Sequence, residues 1–352
     1  MFLAFKEIQF SKFKYLLVVG LLFLISYLVF FLSGLANGLA QSNRSAIDEW
    51  QADHIVLASG VEHRLPMSLF DPSLFDQVTA DDKTAISVQA VLFDETKDQN
   101  SLSAQLIGID KDSFVAPHLI EGRLFEKAQE VVVDETFLNN NQLKLGDTLS
   151  IKNSKEQLTI VGITKGHQLS VQPVIYINRQ DFTQLTSTFG SKEHPLVSAI
   201  VTRGATSLAT NDLEASDTEA FIQDLPGYRA QNLTFALMIG FLVVIAAVVI
   251  SIFIYVLTLQ KESVFGILKA QGISNGYLIR SVIDQTILLA GAGVLIGVGL
   301  TYGSGYILPS AVPFTINHLF VAVIAGSILL FALLGGLFSS RMITKIDPLE
   351  AI

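Results

Sequence analysis

Unbroken apolar runs and short alternating runs divide this chain into two kinds of sequence. Tyr15 to Ala36, Phe235 to Leu259 and a tract from Gln285 to Phe338 are nearly continuous in apolar residues, whereas Gln41 to Gln231 alternates β-branched runs with turn residues. A bilayer core of about 30 Å takes roughly 20 residues of apolar helix, so each of the first two runs predicts one span. From Gln285 to Ser340 there is no Asp, Glu, Lys or Arg, a stretch too long for one helix. Pro309, Pro313 and Asn317 interrupt it, which predicts a hairpin of two spans, about Leu278 to Leu308 and Leu319 to Phe338. A cleaved signal peptide competes for the first run, since Gly38 and Ala40 imitate a cleavage site. The run exceeds the roughly 7 to 15 residues of a signal core, and it is read as an anchor.

In the polar part, HIVL at His54, TAISVQAVLF at Thr84, AQLIGI at Ala104, EVVV at Glu130, EQLTIVGI at Glu156, PVIYI at Pro173 and VSAIV at Val197 predict strands. Helices are expected at Asp134 to Asn140, Arg179 to Thr188 and Asp212 to Gln223. The fold class is thus an α-helical membrane protein with four transmembrane helices plus an α+β extracytoplasmic domain, of two subdomains, inserted between helices 1 and 2. The domains are 1–40, with an amphipathic interfacial helix around Phe2, Phe5, Ile8 and Phe13 before the first span; 41–231; and 232–352, with a cytoplasmic helix near 260–272.

Composition agrees with this division. Half of the 352 residues are hydrophobic and 16% are charged, with a mean hydropathy of +0.50, against about 25% charged in soluble domains. Lys6, Lys12 and Lys14, then Lys261, Lys269 and Arg280, then Arg341 and Lys345 flank the spans on one side, so both termini are expected in the cytoplasm. The inserted domain carries 15 basic against 27 acidic residues, net −12. That charge disfavours nucleic acid. With no cysteine, neither a disulfide framework nor a thiolate site is available.

Little else points to chemistry within the chain. His54, His63, His118, His167 and His194 fall in the domain, but no two share a zinc-type spacing, so no metal site is expected. There is no G-x-S-x-G element and no G-x-x-x-x-G-K-[ST] phosphate loop, so neither acyl transfer nor nucleotide hydrolysis is expected of this chain. Asp284 lies two turns into the third span, one turn after Arg280, where an i,i+4 ion pair competes with a functional role. Gly34 with Gly38, Gly293 with Gly297 and Gly299 with Gly303 permit close helix approach, either at a dimer seam or within one subunit.

After the second span, Val264, Ile267 and Leu268 recur at helical spacing beside Lys261, Glu262 and Lys269, and Gly272 is placed to end a short amphipathic helix. The loop QKESVFGILKAQGISNGYL, the C-terminal IDPLEAI and the order of one span, a large outer domain and three spans resemble the FtsX/MacB class of ABC transporter permeases. LANGLAQSNRSAIDEWQADHIVL, after the first span, is most similar to the haem-exporter (HrtB-like) subgroup.

The resemblance implies a homodimer in membrane lipid, driven by two copies of a cytoplasmic ABC ATPase, with no cofactor of its own and ATP bound by the partner subunit. Lys261, Glu262, Val264, Ile267, Leu268 and Lys269 would lie on the coupling helix. It implies ATP-driven export of haem or a similar amphiphile by mechanotransmission. Antimicrobial peptides or lipid-like drugs as cargo, and signalling to a cell-wall hydrolase without transport, remain alternatives. Were haem the substrate, an apolar slot with basic and iron-ligating groups would be needed. Arg44, Tyr228, Arg229 and Met238, at the outer ends of the first two spans, are the candidates, each also explicable as a lipid anchor or as packing.

Overall fold

The computed structural model describes residues 12–94, 102–152, 156–186, 197–309 and 312–345. The expected N-terminal interfacial helix, the IDPLEAI motif and His194 lie outside these residues. The chain forms two compact units, one of residues 1–38, 233–308 and 314–352, the other of 39–232 and 309–313.

Four long helices build the first unit: α1 (Lys12–Trp50), α5 (Tyr228–Leu259), α7 (Asn275–Ile307) and α8 (His318–Lys345), the first two running on into the second unit. Each contains a stretch long and apolar enough to cross a bilayer. Their buried sides meet in one core of Tyr15, Leu22, Phe30, Ile250, Ile254, Val282, Leu289, Ile324 and Ile328. The opposite sides expose Leu237, Phe241, Val244, Ile245 and Val248 on α5, an apolar surface of a kind that lipid covers. Several hydroxyls inside the bundle find partners on its own helices. Ser251, Thr286 and Thr301 donate to the carbonyls four residues back, and Ser339 bonds Thr258 across helices at 2.9 Å.

The glycine pairs separate by role. A Cβ on Gly293 would lie 2.7 Å from Leu22 Cβ and one on Gly297 3.0 Å from Tyr27 N, so this pair seats α7 against α1 inside one subunit. Gly34 likewise faces Phe314, from the turn before α8. Gly299 and Gly303 face open space.

The second unit is built on a mixed sheet ordered β13-β1-β11-β3-β4-β10-β6-β8-β5, with β7 beside β8 and β9 beside β10. Its strands are β1 (His54–Ala58), β2 (Val78–Thr79), β3 (Asp82–Phe93), β4 (Leu102–Ile109), β5 (Leu119–Gly122), β6 (Glu130–Asp134), β7 (Thr148–Ser150), β8 (Gln157–Thr164), β9 (Gln168–Leu169), β10 (Gln172–Asn178), β11 (Ala199–Arg203), β12 (Ser207–Leu208) and β13 (Leu213–Asp217). β2 and β12 pair apart from it. The central strands show the period of two: Val131, Val133, Ile175 and Ile177 enter one core, Val132, Val174 and Tyr176 the other. Helices α2 (Glu135–Asn141) and α3 (Arg179–Thr186) pack into the first of these, through Phe137, Leu138, Phe182 and Leu185.

Two expectations are corrected here. The two subdomains are one sheet, because β3 is long enough to pair β11 from Asp82 to Ile86 and β4 from Ser87 to Phe93. The helix expected over Asp212 to Gln223 begins only at Thr218, as α4 (Thr218–Gln223). Before it, β13 pairs all of β1, from Ala58 opposite Leu213 to His54 opposite Asp217, and this pairing outweighs helical propensity. Asp217 then caps α4, accepting from the backbone N–H of Glu219 at 2.9 Å.

Candidate functional site

The turn between α5 and α7 carries α6 (Glu262–Ala270). Glu262 in its first turn and Lys269 in its last complement the helix dipole. Gly272, at φ +88°, closes it. Gly272 N–H donates to Lys269 O at 2.9 Å and Ile273 N–H to Leu268 O at 3.1 Å, the double bond of a Schellman motif. The helix has two faces. Phe265 is 1% exposed in the core of the helical unit and Leu268 packs partly against it, whereas Val264 and Ile267 are 48% and 46% exposed. Lys261 donates to Gln285 Oε1 at 2.9 Å and lies over the Tyr15 ring, holding the helix start to α7 and α1. Thus α6 is anchored by one face and presents apolar residues on the other, the arrangement that fits a groove on a second protein. Phe265 was not among the residues singled out from the sequence. Its signal was the i,i+3 relation to Leu268 beside a buried Gly266.

Arg44 and Tyr228 lie together in the second unit. The Arg44 guanidinium donates to Asp48 from Nε and Nη2 (2.8–3.0 Å) and to Glu219 from Nη1 and Nη2 (3.2 and 2.8 Å). Tyr228, the first residue of α5, is 4% exposed. Beside Arg44, the Glu219 carboxyl is held below its usual range. Arg229 and Met238 are exposed on α5.

A buried polar chain runs under β10. Asp134, fully buried, caps α2 through Thr136 N–H at 2.9 Å and accepts from His167 N–H at 2.8 Å; burial pushes its carboxyl up. His167 Nδ1 lies 2.8 Å from Tyr176 Oη, and burial pushes the imidazole down and the phenol up. His63 pairs with Asp224 at 2.7 Å, His118 with Glu49 at 2.5 Å, and His54 lies beside Thr206. These contacts fix the fold and assemble no nucleophile with a base.

The model of the FtsX-like permease C-terminal region matches residues 236–348, and that of the MacB-like periplasmic core domain matches residues 16–220. A protein of Staphylococcus haemolyticus named hemin transport system permease protein HrtB is 30% identical over 99% of this chain and 98% of its own length. Its namesake in Staphylococcus epidermidis is 28% identical over the same shares. An ABC transporter permease of Mycobacterium tuberculosis is 23% identical over 100% and 99%. Among solved structures, the extracellular domain of the noncanonical ABC-type transporter YknZ from Gram-positive bacteria aligns with a TM-score of 0.31 at 13% identity, covering 46% of this chain and 84% of that one.

Proposed function

This chain belongs to the FtsX-like and MacB-like permeases of ABC transporters, non-enzymatic membrane components, and from that premise we propose that it exports haem or a similar amphiphile by transmitting work. A cytoplasmic ABC ATPase, two copies on a permease homodimer, supplies the energy. The observation that carries this reading is α6: Phe265 anchors it while Val264 and Ile267 face outward, and the chain has no phosphate loop of its own. The ATPase groove takes that exposed face, and closure of two ATPases on ATP draws the two α6 helices together. Both termini lie in the cytoplasm and residues 41–231 outside, a reading that the basic flanks support.

Helix α5 carries the motion outward. At about 1.5 Å per residue, its 32 residues reach about 48 Å, beyond a 30 Å hydrocarbon core. Such a rod opens and closes a cleft at the outer leaflet rather than lining a pore. The names of the staphylococcal relatives support haem as cargo. Arg229 and Met238, both exposed, are the cargo contacts, for a propionate and for the apolar macrocycle or its iron.

Reconstitution with the partner ATPase in liposomes preloaded with haemin tests this. ATP-dependent transfer of haemin to external apo-protein acceptor is expected, together with haemin sensitivity of cells lacking the gene. ATP hydrolysis with no haemin transfer, and normal haemin tolerance with altered cell separation, would overturn export in favour of signalling to a wall hydrolase.

A further inference from the structure

Where α7 ends and α8 begins, a phenol and an imidazole meet outside the buried core of the helical unit. Tyr302 Oη and His318 Nδ1 lie 2.5 Å apart, and the two rings stack with centroids 5.7 Å apart and planes 8° from parallel. Both residues are fixed by their own helices. Asn317 caps α8, its Oδ1 accepting from Phe320 N–H at 3.1 Å, so His318 stands at the first helical position. Tyr302 follows Thr301, which is 1% exposed, on the stretch of α7 that Gly297 seats against α1.

The hydrogen bond sets what the imidazole can do. With the Nδ1 proton donated to Tyr302 Oη, Nε2 carries a bare lone pair, the form that ligates a metal, and the stacked phenol holds the ring plane. His318 is exposed, so Nε2 is within reach of a ligand. A bare cation needs several side-chain donors, and no group of three or more metal-binding side chains occurs among the described residues. A metalloporphyrin brings its own ring of nitrogens and asks the protein only for axial ligation. One oriented imidazole is enough for it.

The surroundings suit the macrocycle better than its carboxylates. Tyr306, Ile307 and Leu319 are 91%, 84% and 76% exposed, an apolar surface open to lipid and to whatever is dissolved in it. From Gln285 to Ser340 there is no Asp, Glu, Lys or Arg, so the propionates of a bound ring turn to the aqueous boundary.

We propose that His318, oriented by Tyr302, is an axial ligand to haem iron at the adjoining ends of α7 and α8, an iron contact additional to Met238 on α5. This rests on the reading of the chain as a haem exporter, whose topology puts the α7–α8 turn outside. Tyr302 is the positioning residue and His318 the ligand.

Titration of the full-length protein in detergent with haemin, and with iron-free protoporphyrin IX as the control, tests it. The parent is expected to shift the Soret band and to bind haemin more tightly than the iron-free ring. His318→Gln should weaken haemin binding by roughly tenfold or more, the scale on which metal sites respond to altered partners. It should also abolish the band shift while leaving protoporphyrin IX binding and the melting temperature as they were. Tyr302→Phe keeps the ring but takes away the oxygen that raises the basicity of the imidazole, so the Soret position should move and haemin binding weaken by a smaller factor.

Haemin binding and spectrum unaltered in His318→Gln, but lost in Met238→Leu, would put the iron on α5 alone. That overturns the proposal and leaves haem export standing. Equal affinity of the parent for haemin and the iron-free ring overturns it too, since the metal then adds nothing. A parent that binds neither porphyrin overturns the haem reading along with it.

Discussion

The ring of Phe314 fills the space that a side chain on Gly34 would occupy, and Thr315 N–H donates to Gly34 O at 3.1 Å. Asn37 Nδ2 adds a bond to Thr315 O, also at 3.1 Å. The turn before α8 is therefore keyed onto α1 by a missing side chain. Gly34→Leu is expected to destabilise the helical unit by about 1–3 kcal/mol through overpacking, read as a lower melting temperature in detergent. Phe314→Ala should recover part of the loss in the same chain. A Gly34→Leu protein as stable as the parent would show that the ring is not seated there.

Four of the glycines of α7 make a graded test. Gly293 and Gly297 meet the backbone of α1, which cannot step aside, so Val at either position is expected to cost about 1–3 kcal/mol. Gly299 and Gly303 face open space, and Val there should leave the melting temperature of the monomer unchanged. Loss of the chemically cross-linked dimer in the second pair alone would assign that stripe to the subunit seam, and an unaltered dimer would assign it to lipid.

On α6, direction decides outcome. Val264→Asp and Ile267→Asp alter exposed positions and should change stability by no more than about 0.5 kcal/mol, yet co-purification of the ATPase is expected to be lost. Phe265→Ala removes a buried ring and should cost about 3 kcal/mol. Retention of the ATPase by both aspartate variants would remove α6 from the coupling path.

Acid should loosen the outer domain through His167. Burial holds its imidazole neutral in the fold, so the unfolded chain binds the proton first. Stability is then complete above the unfolded value of about 6.5 and falls as the pH drops from there toward the depressed folded value. His167→Asn, which keeps a partner for Tyr176, should flatten the melting curve between pH 7 and 5. Glu219 and Glu130 are both held low by arginines, the latter at about 2. Their contributions are lost only below the unfolded carboxylate value, near pH 4.5, so the two effects separate. Equal slopes in parent and variant would refute the assignment to His167.

The seven strands expected from the sequence were legible because Val and Ile fix both the extended state and its alternation. α6 was legible to within two residues at each end, because Gly272 is placed to close it. Leu213 to Asp217 misled because its acids suit a helix start, and only pairing with β1, more than 150 residues earlier in the chain, reveals a strand. The same holds for the sites. Spacing grouped Val264 and Ile267 with Leu268, which packs against the core instead, and it could not find the partners of Arg44, since Glu219 is 175 residues away and a lone arginine beyond a span looks like a lipid anchor.

The margins of the sheet offer other chains little to zip onto. β13 is five residues long and carries Glu214 and Asp217, and β5 is four, with a register slip after Leu119 and Gly122 at its end. A foreign strand laid along either would meet like charge or lose step within two residues. Crowded copies on a cell surface are thus guarded against stitching into a common ribbon, and whatever docks on this domain must recognise it by its side chains.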